Sequence, residues 1–221
     1  MNIKSIIQDR LNLFLAAFIL LFFLLPFIEA KDLHFSVAPF VFFIIIFLSL
    51  CMTHLPRRLF FQSLLFLGLA FCLDLILMAT VSPLLERIIL IFIRLFYGGL
   101  LILSLKFLLR KMLALDEDAV TLVKLGVSGY LLVGFLWSIF YSFIFIFDKK
   151  IFSKLIIEQI PFFQYSFSTL TTLKFAKMVP VNPWAVNLSY LEVIIGHIFL
   201  AVFIGKIVSF YAARYSTRSS Q

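Results

Sequence analysis

Charge, cysteine, histidine and glycine are all scarce in this chain. Of its 221 residues only 14% are charged, two are Cys, three are His and eight are Gly. A soluble domain carries about 25% charged residues. The low charge excludes both a water-soluble globule and a disordered chain. Cys51 and Cys72 lie inside apolar runs and read as small apolar side chains. They make no disulfide framework, which excludes a stapled secreted domain. His34, His54 and His197 are scattered without ligand spacing, so no metal site and no other cofactor is expected. There is no Gly-rich phosphate loop, no nucleophile elbow, no His-Glu-x-x-His and no pair of cysteines, and nothing points to an enzyme. A transporter would show symmetry between halves, and none is visible.

Apolar residues fill the space. They make up 63% of the chain, thirty of them Phe, and the mean hydropathy is +1.13. This is the composition of an integral membrane protein. A spanning helix needs about 20 mainly apolar residues. Five runs approach this, 11–29, 36–54, 59–82, 88–109 and 124–147, and a sixth, 187–211, carries Glu192 and Lys206 within it. The first follows Lys4 and Arg10 as a signal peptide would, but it is long and Ile28-Glu29-Ala30 is a poor cleavage site. A retained helix is expected. The predicted organisation is a four-helix, sensor-like unit over 1–110, an interfacial linker helix over 111–123, a pore-like unit over 124–212 and a short tail over 213–221. No soluble domain is expected at either end.

The formal charge of +8 fits topology rather than nucleic acid, since no soluble basic patch exists to hold it. With the N-terminus in the cytoplasm, Lys4, Arg10, Arg57, Arg58, Lys106, Arg110, Lys111, Lys124, Lys206, Arg214 and Arg218 fall inside. The first two outer hairpins hold only Lys31 and Arg87. That asymmetry follows the positive-inside rule. Both termini are then cytoplasmic, and the expected location is a bacterial inner membrane, multi-pass.

Two opposite charges lie at similar depth within the third and fourth spans, Asp74 and Arg94. Buried charges in spans are paired or functional, so an Asp74–Arg94 ion pair is expected. A voltage sensor needs repeated Arg, because each gating charge contributes only about 2.3 kcal/mol per 100 mV. Stepping by threes from Arg94 gives Tyr97, Leu100, Leu103 and Lys106. Only the ends are charged, and strong voltage gating is not expected.

The stretch 148–186 differs from the rest. It holds Pro161, Pro180 and Pro183, a Ser/Thr cluster at 166–172, and Lys149, Lys150, Lys154, Lys174 and Lys177 on the outer side. Pro161 suits a helix start. About ten apolar and aromatic residues follow, too few to span. Such a half-helix with extended backbone after it is tolerated at membrane depth only where it is buried or lines a cavity. A pore or a binding site is the expectation.

Here the chain resembles the tetrameric potassium-channel superfamily. The resemblance rests on Thr169-Leu170-Thr171-Thr172-Leu173, then 174–177, then Val179-Pro180, and on Leu191-Glu192-Val193-Ile194-Ile195-Gly196 with Leu200-Ala201-Val202 in the last span. It covers about 125–212 well. It implies an all-α transmembrane fold of six spans plus a re-entrant pore helix, assembled as a homotetramer in the lipid bilayer around inorganic ions. A second, different subunit stays open. The filter would be Thr171, Thr172, Leu173, Lys174, Phe175, Ala176 and Lys177, with Gly196 as the hinge of the inner helix and Lys206 at the inner mouth.

The filter departs from the family's Thr-Thr-Val-Gly-Tyr-Gly-Asp. Lys174 and Ala176 replace the glycines, Phe175 the Tyr and Lys177 the Asp. A non-glycine residue in left-handed backbone costs roughly 1–2 kcal/mol. Charge matters more. Four Lys174 ammonium groups about 7 Å from a central cation, at an effective dielectric of about 20, repel it by roughly 9–10 kcal/mol in total. A Lys ring is a recipe for anion pores. Alternatively Lys174 turns away and pairs with Glu158 or Glu192. The expectation is therefore a channel-like pore without standard potassium selectivity, with anion or otherwise altered permeation preferred. Two other readings remain: a non-conducting scaffold or membrane sensor, and a potassium channel with its lysines turned from the axis.

Overall fold

A backbone without water to bond must satisfy its own N–H and C=O groups, which favours helices wherever apolar runs are long. The computed structural model describes residues 3–29, 38–53, 56–77, 82–114, 118–153, 160–173 and 178–219. Its helices are α1 (Ile3–Glu29), α2 (Ala38–Met52), α3 (Arg57–Ile76), α4 (Pro83–Leu113), α5 (Ala119–Phe147), α6 (Ile160–Leu170) and α7 (Pro183–Ser219). Among the described residues there is no strand, only an isolated bridge between Phe152 and Pro180. Among the described residues four helices, α3, α4, α5 and α7, are long and apolar enough to cross a membrane, and the protein is membrane-embedded. α2 is apolar but shorter, at 15 residues.

The linker expected as its own helix over 111–123 is divided between two longer ones. Lys111–Leu113 complete α4, and Ala119–Val123 open α5. Met112 and Leu122 are buried in the bundle, so packing continues through both ends. Asp118 caps α5, accepting from the Thr121 backbone N–H at 3.2 Å and from the Thr121 hydroxyl at 2.6 Å. Those bonds hold the Asp118 carboxyl below the usual carboxylate range, the Thr121 hydroxyl most of all.

α5 is the centre of the molecule and packs against α1, α4, α6 and α7. Of its apolar window 61% is buried, against 11% for α7, which lies at the margin. Phenylalanine knits the interior. The Phe135 ring on α5 meets Phe18 of α1, Phe42 of α2 and Phe163 of α6, with centroids 6.2, 4.7 and 6.0 Å away. Edge and tilted ring pairs of this kind add to the burial itself.

Polar bonds fix the two ends. At one, Arg10 reaches the Cys51 carbonyl at 2.6 Å, Gln8 the Thr121 hydroxyl at 3.2 Å and Lys206 the Leu113 carbonyl at 2.8 Å. At the other, the Asn182 amide donates to Asp148 at 2.9 Å. Beside it Ser153 N–H reaches the Val179 carbonyl at 2.8 Å, and Val181 N–H reaches Ile151 at 2.9 Å. This clasp returns the chain after α6 to the end of α5 from which it left. The Lys150 backbone N–H, then Asn182, hold the Asp148 carboxyl below its usual range.

Candidate functional site

α6 has 11 residues, about 16 Å of helix against about 30 Å of hydrocarbon. It runs inward from the clasp, between α5 and α7. Its last residue, Leu170, packs where a Cβ on Gly196 would stand 2.5 Å from Leu170 Cδ1. Gly196 is about 20 Å along α7 from Pro183. On the other flank a Cβ on Gly134 would meet the Phe167 ring at 2.8 Å. Glycine at these two positions lets α6 sit deep between its neighbours. α7 continues through Gly196 as unbroken helix, and Gly196, expected as a hinge, gives room to Leu170.

A buried polar network locks this wedge. Glu192 of α7 is fully buried. Its Oε1 lies 2.5 Å from Ser166 Oγ of α6, and its Oε2 accepts from the Tyr141 hydroxyl of α5 at 2.6 Å. Ser166 Oγ also lies 2.6 Å from the Gly134 carbonyl. Tyr165 and Ser189 hydroxyls meet at 2.7 Å, and Ser189 gives its proton to Ala185 at 2.8 Å. One carboxyl thus ties three helices together. A buried carboxylate without such partners would cost several kcal/mol. Sequence reading named Glu192 as a lysine partner and noted the Ser/Thr cluster, but not Tyr141, Tyr165 or Ser189. No spacing rule joins residues of three separate helices.

The exit from α6 is specific. Thr171 N–H bonds the Phe167 carbonyl at 3.0 Å, Thr172 N–H the Thr169 carbonyl at 3.0 Å and Leu173 N–H the Ser168 carbonyl at 2.9 Å. The last two are the paired bonds of a Schellman ending. They place Thr172 at φ 58°, the one positive φ among described non-glycine residues. That is left-handed backbone, where a β-branched residue is strained. The Tyr130 hydroxyl bonds the Leu170 carbonyl at 3.0 Å, satisfying a group that the helix end leaves open. Thr171, Thr172 and Leu173 are exposed. Lys174, Phe175, Ala176 and Lys177 lie outside the described residues, as does Glu158.

The other residues singled out from sequence fall elsewhere. Asp74 of α3 and Arg94 of α4 are buried and 3.8 Å apart. Arg94 Nε also donates to Ser142 of α5 at 2.9 Å, and the Tyr97 hydroxyl donates to Asp74 at 3.3 Å. This network links α3 and α4 to α5, away from α6. Lys206, expected at an inner mouth, donates to the last carbonyl of α4, where a cation complements the helix dipole. Among the described residues no group of His, Cys, Asp and Glu is placed to hold a metal ion.

Comparison with known proteins adds no relative. No protein-family model matches the chain, and neither a curated protein nor a solved structure does.

Proposed function

We propose that the protein is an ion-channel-like pore protein of the potassium-channel superfamily, with a filter that lacks standard potassium selectivity. The observation that carries this reading is α6: a helix too short to span, seated about halfway along α5 and α7, whose chain leaves and rejoins the bundle through one clasp. On this reading α1 to α5 and α7 are six spans and α6 is the re-entrant pore helix. The left-handed Thr172 and the exposed Leu173 lead into Lys174–Lys177 at the constriction.

Assembly as a homotetramer fits the uneven cover of α7. Glu192, Gly196 and Phe199 are buried, while Leu191, Ile194, Ile198 and Val202 are exposed. A face of that kind suits copies of the same helix around an axis. In the tetramer the Lys174 groups oppose a cation in the constriction by Coulomb repulsion, and permeation shifts from potassium toward anions.

The test is a potassium flux assay on tetramers in liposomes. Changing Lys174→Gly together with Ala176→Gly restores the small residues a carbonyl-lined filter needs. Flux is expected to rise. Unchanged flux from an intact tetramer would count against a filter at 171–177.

A further inference from the structure

Three oxygens meet in the wedge of α5, α6 and α7: Glu192 Oε1, Ser166 Oγ and the Gly134 carbonyl. Ser166 Oγ lies 2.5 Å from the first and 2.6 Å from the second of its neighbours, Glu192 and Gly134. Ser166 and Glu192 are fully buried. Oxygens this close are joined by O–H···O bonds, so each contact needs a proton. The Ser166 hydroxyl has one, and a backbone carbonyl has none.

The surrounding hydroxyls are already committed. Tyr141 of α5 donates to Glu192 Oε2 at 2.6 Å. Ser189 of α7 donates to the Ala185 carbonyl at 2.8 Å, so its 2.7 Å contact with Tyr165 of α6 uses the Tyr165 proton. Tyr130 of α5 donates to the Leu170 carbonyl at 3.0 Å. Among the described residues no cation stands within ion-pair distance of Glu192. One arrangement gives every contact its proton. Glu192 Oε1 carries a hydrogen and donates it to Ser166, and Ser166 donates its own to Gly134.

We infer that Glu192 is a proton-binding site, its carboxyl held as the neutral acid and joined through Ser166 to the Gly134 carbonyl. The bound proton ties α7 to α6 and, through Ser166, to α5. Its loss leaves one Ser166 contact without a proton and sets a charge inside the wedge, where charge is costly. The seat of α6 is thereby coupled to a proton. The site does not require that the protein conduct.

The experiment is infrared spectroscopy of the purified full chain in neutral buffer, with its glutamates isotope-labelled at the side-chain carboxyl. The label restricts the signal to glutamate and keeps Asp74 out of it. A solvated glutamate is ionised at neutral pH. Wild type is nevertheless expected to show the labelled carbonyl band of a protonated carboxyl, and Glu192→Gln to lose it. If that variant does not fold, Tyr141→Phe takes its place. Oε2 is the carbonyl oxygen of the acid, and without its donor the band should move to higher frequency. Raising the pH until the band disappears should lower the thermal midpoint of wild type further than that of Glu192→Gln, because the folded chain then gives up a proton that the unfolded chain does not hold. Absence of a labelled acid band from wild type would overturn the proposal and leave a carboxylate at 192. So would a band untouched by Glu192→Gln or Tyr141→Phe, which would put the proton on another glutamate. An equal fall of the midpoint in wild type and Glu192→Gln would overturn the coupling to the seat of α6.

Discussion

Ser166 of α6 and Glu192 of α7 meet at 2.5 Å, side chain to side chain, in the buried centre of the α5–α6–α7 wedge. The same Ser166 oxygen lies 2.6 Å from the Gly134 carbonyl. Ser166 has one hydroxyl proton for these two oxygens, so one contact is short of a donor. The carboxyl at 192 is consequently a joint between helices rather than a surface charge.

Replacing Glu192 therefore separates charge from shape. Glu192→Gln supplies a donor toward Ser166 and keeps an acceptor for Tyr141. Its thermal midpoint in detergent should stay close to wild type. Glu192→Ala leaves Ser166 only the Gly134 carbonyl and Tyr141 only the Ser189 oxygen at 3.3 Å, opens a void, and should cost about 3 kcal/mol. Equal damage from both variants would show that the negative charge itself is required.

Gly196 makes a second, steric prediction. A Cβ there meets Leu170 at 2.5 Å, so Gly196→Ala should destabilise by about 1–3 kcal/mol through overpacking. Adding Leu170→Ala removes the clash, and the double variant should lose less than the sum of the two singles. Strict additivity in a thermal or denaturant series would mean that the two residues do not touch.

The left-handed Thr172 gives the opposite sign. At φ 58° a β-branched residue is strained, and Thr172→Gly should stabilise the fold by about 1 kcal/mol. Thr172→Val keeps the branching and should bring no gain. A gain from both would place the benefit in the side chain and not in the backbone.

Arg94 is held by Asp74 and Ser142 and is buried with them. Removing one partner of a buried pair costs about 3–5 kcal/mol, because the other charge is left alone. Asp74→Asn should therefore unfold the protein earlier on heating. Asp74→Asn with Arg94→Gln should recover part of the loss. A double variant as weak as the two singles combined would contradict a coupled pair.

The sequence carried much of this and missed particular things for physical reasons. Long apolar runs marked where α1 to α5 and α7 lie, and four of these, α3, α4, α5 and α7, are long and apolar enough to cross a membrane. Pro161 and the apolar stretch after it marked α6. Asp74 and Arg94 could be set together from their depth alone. The Glu192 network could not, because its members come from three helices and only packing brings them to one point. Lys206 was legible as a cation near the end of the last helix, but its bond to the Leu113 carbonyl was not, because that depends on where α4 ends.

The measurement that bears most directly on function is the reversal potential of confirmed tetramers in planar bilayers under a KCl gradient. If, as proposed, Lys174 stands at the constriction, the reversal is displaced from the potassium equilibrium potential toward that of chloride. A reversal at the potassium potential would contradict it and place the lysines away from the axis. Absence of current from the same tetramers would contradict a conducting pore altogether.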